Sequence, residues 1–178
     1  MTEILLARHA QSWANKRDFT AFGNMESPLT EKGIQQAVAL GQLLREEYGI
    51  DAEAYDLPVL ASEYVRPKQT AEVAGFRNIH IDGLINECEM KEEITSGIEV
   101  IKKHLEERWV PEKTRENAKR FIERVAQGDL EYGVYFTHGM FIAAVLLEFD
   151  EQGLPHTYTP DDQRGYIPLQ ASVTQLTI

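Results

Sequence analysis

Two histidines and two arginines carry the chemistry open to this sequence. Arg8 and His9 stand side by side near the start, Arg66 follows Ser62 after one short apolar run, and His138 precedes Gly139 after another. Each guanidinium is a planar fork that can donate two hydrogen bonds to phosphoryl oxygens. Neutral imidazole is a competent nucleophile near neutral pH and can carry a covalent intermediate. Cations aimed at phosphoryl oxygens stabilise a transition state whose charge spreads over those atoms. The set reads as an anion site suited to phosphoryl transfer. Singly, each residue has a plainer reading: a histidine after a strand is most often structural, and an arginine at a strand end usually forms a surface ion pair. The inference comes from their joint placement. Zinc is a rival use of His9 and His138. A guanidinium beside a ligand opposes a divalent cation, however, and there is no H-E-x-x-H pattern or cysteine cluster. No metal or other cofactor is expected.

For these residues to meet, the chain must bring three strand ends together. Residues 3–7 (EILLA) read as a short buried strand. Residues 30–48 read as a helix, with Ile34, Ala37, Val38, Gly41 and Leu44 spaced along one face, Thr30 as its cap and Gly49 as its stop. A second strand over 57–61 leads into a short helix over 66–74, with Pro67 near its start, and a weak strand over 79–81. Two polar helices, 95–110 and 111–127, break at Pro111. A fourth strand over 133–137 precedes a mostly apolar helix over 140–149, and residues 172–178 alternate like an edge strand. This order predicts an α/β fold: a three-layer sandwich with a mostly parallel central sheet flanked by helices. One domain over 1–178 is expected, with a small helical insertion around 89–130. Ligands of such sheets bind beyond the carboxyl ends of the strands. That rule selects the positions after Ala7, Ala61 and Thr137, where the four residues stand.

Composition narrows the ligand. A chain of 178 residues holds one core of ordinary size. A net charge of −11 argues against a sequence-independent grip on nucleic acid and against anionic membrane surfaces. Local arginines still suffice for a phosphate, because salt screens the distant field. Cys88 is the single cysteine, so no internal disulfide forms. No apolar run approaches the ~20 residues of a membrane helix, and the first residues lack the basic start of a signal peptide. The chain reads as cytoplasmic, and its oligomeric state is unreadable.

The motifs resemble the histidine phosphatase superfamily, whose fold is called phosphoglycerate mutase-like. Arg8-His9-Ala10-Gln11-Ser12 is similar to that family's R-H-G-[EQ]-[TS], with Asn15 where the signature carries an asparagine. Ser27-Pro28-Leu29-Thr30, with Gly33, Gln36 and Ala37, matches S-P-L-T-x-x-G-x-x-Q-A. Ser62 to Arg66, then Gln69-Thr70-Ala71, looks like the second arginine motif, and Thr137-His138-Gly139 like the second histidine motif. The blocks run in the family's order.

The resemblance implies a mechanism. His9 attacks phosphorus and becomes phosphohistidine. Arg8, Arg66 and His138 bind the phosphoryl oxygens, and Asn15 borders the pocket. A carboxylic acid protonates the leaving oxygen and then activates water. Glu87 in Leu84-Ile85-Asn86-Glu87 is the favoured acid, one residue beyond the spacing of the family's L-x-E, with Glu89, Glu92 and Glu93 as alternatives. Two departures stand out. Ala10 replaces a glycine, which would strain the chain if that position needs a positive φ, and the short glycine–tryptophan motif after the acid is absent. His80, His104 and His156 read as structural. Trp13 and Phe19 read as mouth-lining or packing residues, Arg17 as a surface group, and Tyr158 and Arg164 as members of a loop near the site.

The activity so implied is hydrolysis of a phosphomonoester or phosphoramidate, on a small molecule or a phosphoprotein. A phosphomutase is the first alternative, disfavoured because the chain has no long capping insertion. A non-catalytic module that binds phosphorylated ligands is the second.

Overall fold

The computed structural model of the chain describes residues 2–16, 25–52, 58–87 and 97–178. Its strands are β1 (Glu3–Arg8), β2 (Val59–Ala61), β3 (Ile79–Ile81), β4 (Val134–Thr137) and β5 (Val173–Thr177). They form one sheet in the order β3-β2-β4-β1-β5. β1 and β4 are parallel, with Leu6 opposite Tyr135 and Arg8 opposite Thr137. β2 runs parallel to both β3 and β4. β5 closes the far edge antiparallel to β1.

Alternation along the strands divides the core into two layers. Ile4, Leu6, Leu60 and Tyr135 face one cluster; Leu5, Ala7, Val59, Ala61, Val134 and Phe136 face the other. The helices complete a three-layer α/β sandwich: α1 (Trp13–Lys16), α2 (Glu31–Tyr48), α3 (Val65–Val73), α4 (Gly97–Glu107), α5 (Glu112–Ala126) and α6 (Gly139–Gln152). The second layer is shared with α2 and α3 through Leu40, Leu44, Ala71 and Ala74. The first is shared with α5 and α6. α6 is buried from Gly139 to Phe149, as expected of a helix apolar on all sides. Its one buried acid, Glu148, is bonded by Arg115 of α5 at 2.7 Å.

The region expected as an insertion supplies α4 and α5. α5 places Phe121, Ile122 and Val125 in the main core, so its polar appearance describes one face only. α2 departs from its expected register of burial. Thr30 caps it, left-handed Gly49 ends it, and Ala37 and Leu44 face inward, all as expected, but Gly33 and Leu40 face inward with them. Ile34 and Val38 are 42% and 47% exposed. The physical cause is close approach. A Cβ on Gly33 would lie 2.0 Å from the Gln11 carbonyl oxygen, and one on Gly41 2.4 Å from that of Ala74. The glycine edge of the helix, not its isoleucine–valine edge, can dock against backbone.

Candidate active site

The carboxyl ends of β1, β2 and β4 deliver the expected residues to one place. The His9 N–H donates to the Thr137 carbonyl at 2.9 Å, which extends the β1–β4 pairing past the strand end. It leaves the His9 and His138 rings edge to face, 5.2 Å apart. Arg66 comes from the first turn of α3, His138 from the residue that opens α6.

His9 is oriented by its neighbour. Its Nδ1 lies 2.7 Å from the Ala10 carbonyl oxygen, an acceptor, so Nδ1 holds the proton and Nε2 holds the lone pair. Arg66 Nε donates to that lone pair at 3.1 Å. Burial first, then the cations of Arg66 and Arg8, keeps His9 well below the usual histidine value, so the ring is neutral at physiological pH. These are the attributes of an imidazole nucleophile.

Glu87 belongs to the same cluster. One oxygen accepts from Arg66 at 3.2 Å and lies 3.6 Å from His138 Nδ1; the other accepts from the Met140 N–H at the start of α6 at 3.4 Å. Its carboxylate occupies the cationic corner that phosphoryl oxygens would share. Glu89, Glu92 and Glu93, and with them Arg17 and Phe19, lie outside the described residues.

His138 has a fixed tautomer as well. Asn86 is held by Glu63, accepting from the Glu63 N–H at 3.0 Å and donating to its carboxylate at 2.6 Å. The Asn86 oxygen therefore accepts from the Ser62 hydroxyl at 2.8 Å, and Ser62 Oγ accepts from His138 Nε2 at 2.8 Å. The other nitrogen, Nδ1, faces the site without a hydrogen bond. Burial, then Arg66, His9 and Arg8, keep this ring neutral too. Arg8 donates to the Pro168 carbonyl, while its Nε is sealed from solvent and unpartnered. Burial pulls its pKa down to about 10, against the opposing pull of Glu87, and it stays a cation. Buried polar atoms without partners are rare. An anion in this corner would supply an acceptor for Arg8 Nε and, once protonated, for His138 Nδ1.

A cleft of about 510 Å³ opens above the cluster, lined by Arg8, Asn15 and Glu87 among others. Asn15 sits at its edge, its oxygen accepting from the Ser12 N–H at 2.9 Å. Arg164 also reaches the cleft, but its guanidinium is bound twice by Asp161. Trp13 stacks under Lys16, and Tyr158 bonds toward Gly165. His80 and His156 pair with Tyr132 and Asp150.

Several motif residues hold backbone. Thr70 accepts the Ala10 N–H at 3.0 Å, Gln36 that of Gln11 at 2.9 Å and Gln69 that of Leu29 at 2.8 Å. Ala10 fits without strain: the positive-φ residues other than glycine, among those described, are Arg108 and Ala171. Sequence reasoning did not single out Asn86 or the Met140 N–H. The first stood beside Glu87 in the motif, and the second follows from His138 opening a helix.

A family model described as the histidine phosphatase superfamily (branch 1) matches residues 4–161. No curated protein matches the chain significantly. Among solved structures, TTHB049 from Thermus thermophilus is similar at 22% identity and a TM-score of 0.61, over 98% of this chain and 92% of that one. The product of open reading frame Rv3214 from Mycobacterium tuberculosis is similar at 21% and 0.67, over 97% and 89%. Mycobacterial glucosyl-3-phosphoglycerate phosphatase Rv2419c, solved with VO3, is similar at 20% and 0.64, over 99% and 91%. The fold is shared with all three.

Proposed function

Given that the chain belongs to branch 1 of the histidine phosphatase superfamily, we propose that it hydrolyses a phosphomonoester or phosphoramidate through phosphohistidine at His9. The observation that carries this reading is the His9 ring. Its Nδ1 proton is committed to the Ala10 carbonyl, and its Nε2 lone pair is turned toward Arg66 in a buried cationic corner.

In the first step Nε2 attacks phosphorus as the bond to the leaving oxygen or nitrogen breaks, with Glu87 as a carboxylic acid giving that atom its proton. Arg8, Arg66 and, once protonated at Nδ1, His138 hold the phosphoryl oxygens, displacing the Glu87 carboxyl group from Arg66. In the second step Glu87 takes a proton from water as its oxygen attacks phosphorus. The P–N bond breaks, and its electron pair returns to His9. No metal is needed for either step, because the arginines and the α6 N-terminus supply the positive charge. That a neighbour in fold is a glucosyl-3-phosphoglycerate phosphatase supports hydrolysis over mutase activity. The acidic net charge and lone cysteine favour a cytoplasmic enzyme acting on a phosphorylated small molecule or phosphoprotein, with neither nucleic acid nor membrane as partner.

The test is phosphate release from a nitrophenyl phosphate in excess chelator, for wild type and His9→Ala, with acid-stable and acid-labile phosphoprotein separated after rapid quenching. Chelator-resistant turnover, an acid-labile phosphoenzyme and the loss of both in the variant are expected. Turnover that survives His9→Ala would sink the nucleophile assignment.

A further inference from the structure

Tyr64 lies beneath the reactive groups, and the two chemical steps give it no part. It is 2% exposed and touches three of them. Its hydroxyl donates to the Glu87 carbonyl oxygen at 2.6 Å. The Arg66 guanidinium carbon lies 4.7 Å from its ring centroid, over the face that attracts cations. The His138 ring meets it edge to face, with centroids 4.7 Å apart and planes at 73°. The residue reaches this place as the N-cap of α3, in extended backbone, with its N–H directed at Ser62 Oγ, 3.3 Å away.

A buried tyrosine needs an acceptor for its hydroxyl, and core filling alone would accept any carbonyl. The chosen one has a consequence. Glu87 follows a 3-10 turn, Gly83–Ile85, and belongs to no helix or strand. A carboxyl on irregular backbone must be held by tertiary contacts if it is to meet a leaving oxygen within a few tenths of an ångström. Tyr64 supplies such a contact on the main chain of Glu87, while its ring seats two side chains that face the phosphoryl group, Arg66 and His138.

We propose that Tyr64 is a positioning residue: its hydroxyl holds the main chain of Glu87 so that the carboxyl reaches the leaving oxygen, and its ring seats Arg66 and His138. This rests on the reading of Glu87 as the acid. A correctly placed acid matters most for a poor leaving group, because a good one departs without a proton. Two esters therefore separate positioning from general damage: an alkyl phosphate and a nitrophenyl phosphate, compared by kcat/KM with vanadate inhibition as a check on the phosphoryl pocket.

General acids contribute roughly a hundredfold or more, and a displaced one forfeits part of that, so Tyr64→Phe should lose about tenfold on the alkyl ester and far less on the nitrophenyl ester. Vanadate should still bind it within about twofold of wild type, since the ring remains. Tyr64→Leu removes the ring and should weaken vanadate by about tenfold, the measure of two lost aromatic contacts. Equal losses on both esters, or none on either, in Tyr64→Phe would overturn the positioning of the acid. Unaltered vanadate binding in Tyr64→Leu would overturn the seating of Arg66 and His138. Glu87→Gln separates the two levels. If it shows the leaving-group dependence and Tyr64→Phe does not, only the inference about Tyr64 fails. If Glu87→Gln loses equally on both esters, the acid is elsewhere and both readings fall.

Discussion

The floor of the site and its rim are built by different forces. On the floor, His9, Arg66 and His138 are at most 2% exposed, and each is fixed by a hydrogen bond that sets its orientation or protonation. The loops that carry them are pinned by side chains bonded to backbone, as Thr70 and Gln36 do for residues 10 and 11. The rim is more exposed and mixed in character. Lys32, Ile101, Leu169 and Gln170 line it, and Leu169 is 57% exposed. Floor groups act in low dielectric, where one ångström of displacement is costly. Rim groups act through water and salt, which blunts them. On the proposed reading, the chemistry is placed where side chains are buried and fixed, and discrimination between substrates where they are exposed.

The sharpest way to break that contrast is to push on the floor without touching a reactive side chain. A Cβ on Gly139 would lie 2.9 Å from Arg8 Nε and 2.8 Å from Ile167 Cγ2. Gly139→Ala should lower kcat/KM about a hundredfold, the scale of a misplacement near one ångström, while the protein stays folded. A loss below about threefold would mean that Arg8 adapts as freely as a rim residue.

A smaller effect concerns stability. His9 and His138 on the floor, and His104 behind the rim, are all held below the usual histidine value, chiefly by burial. His104 is committed on both sides: Nδ1 donates to the Trp109 carbonyl at 2.9 Å, and Nε2 accepts the Tyr166 N–H at 3.1 Å. The unfolded chain takes up protons at these rings near pH ~6.5, and the folded chain takes them up only at lower pH. Stability is therefore full above that value and declines as pH falls through it, by up to about 1.4 kcal/mol per pH unit for each ring. Urea midpoints should fall between about pH 7.5 and 5.5, and His104→Asn should flatten the decline by one ring's share. A flat wild-type profile would show that the rings protonate within the fold.

The smallest effect belongs to the rim. Lys32 is exposed at the cleft mouth. Lys32→Ala should raise KM for a substrate with a second anionic group by no more than about fivefold, since an exposed charge contributes about 1 kcal/mol or less. The difference should vanish at high salt. A larger, salt-resistant change would move Lys32 from rim to floor.

Much of the floor was legible because its chemistry needs residue types that composition rarely places together at strand ends. Arg8, His9, Arg66 and His138 were marked by what they are and by the strand, loop and helix order around them. Glu87 was readable as a candidate only, since it sits in a run of acids. Its place beside Arg66 follows from the 3-10 turn before it. Tyr64 was illegible as a contributor, because a tyrosine two residues before an arginine looks like any core residue. The buried face of α2 was misjudged at Ile34 and Val38, because hydrophobic spacing weighs side chains, whereas Gly33 docks by having none.

By itself the sequence determined the alternation of strands and helices, their caps and the positions of the reactive groups, because these follow from local periodicity and residue chemistry. Only the tertiary structure decided which imidazole nitrogen faces the site, that Glu87 joins it and which ring lies underneath. Those choices depend on hydrogen bonds between residues far apart in the chain, such as Ser62 with His138 and Tyr64 with Glu87. No local pattern records such pairings, because they exist only once the strand ends have met.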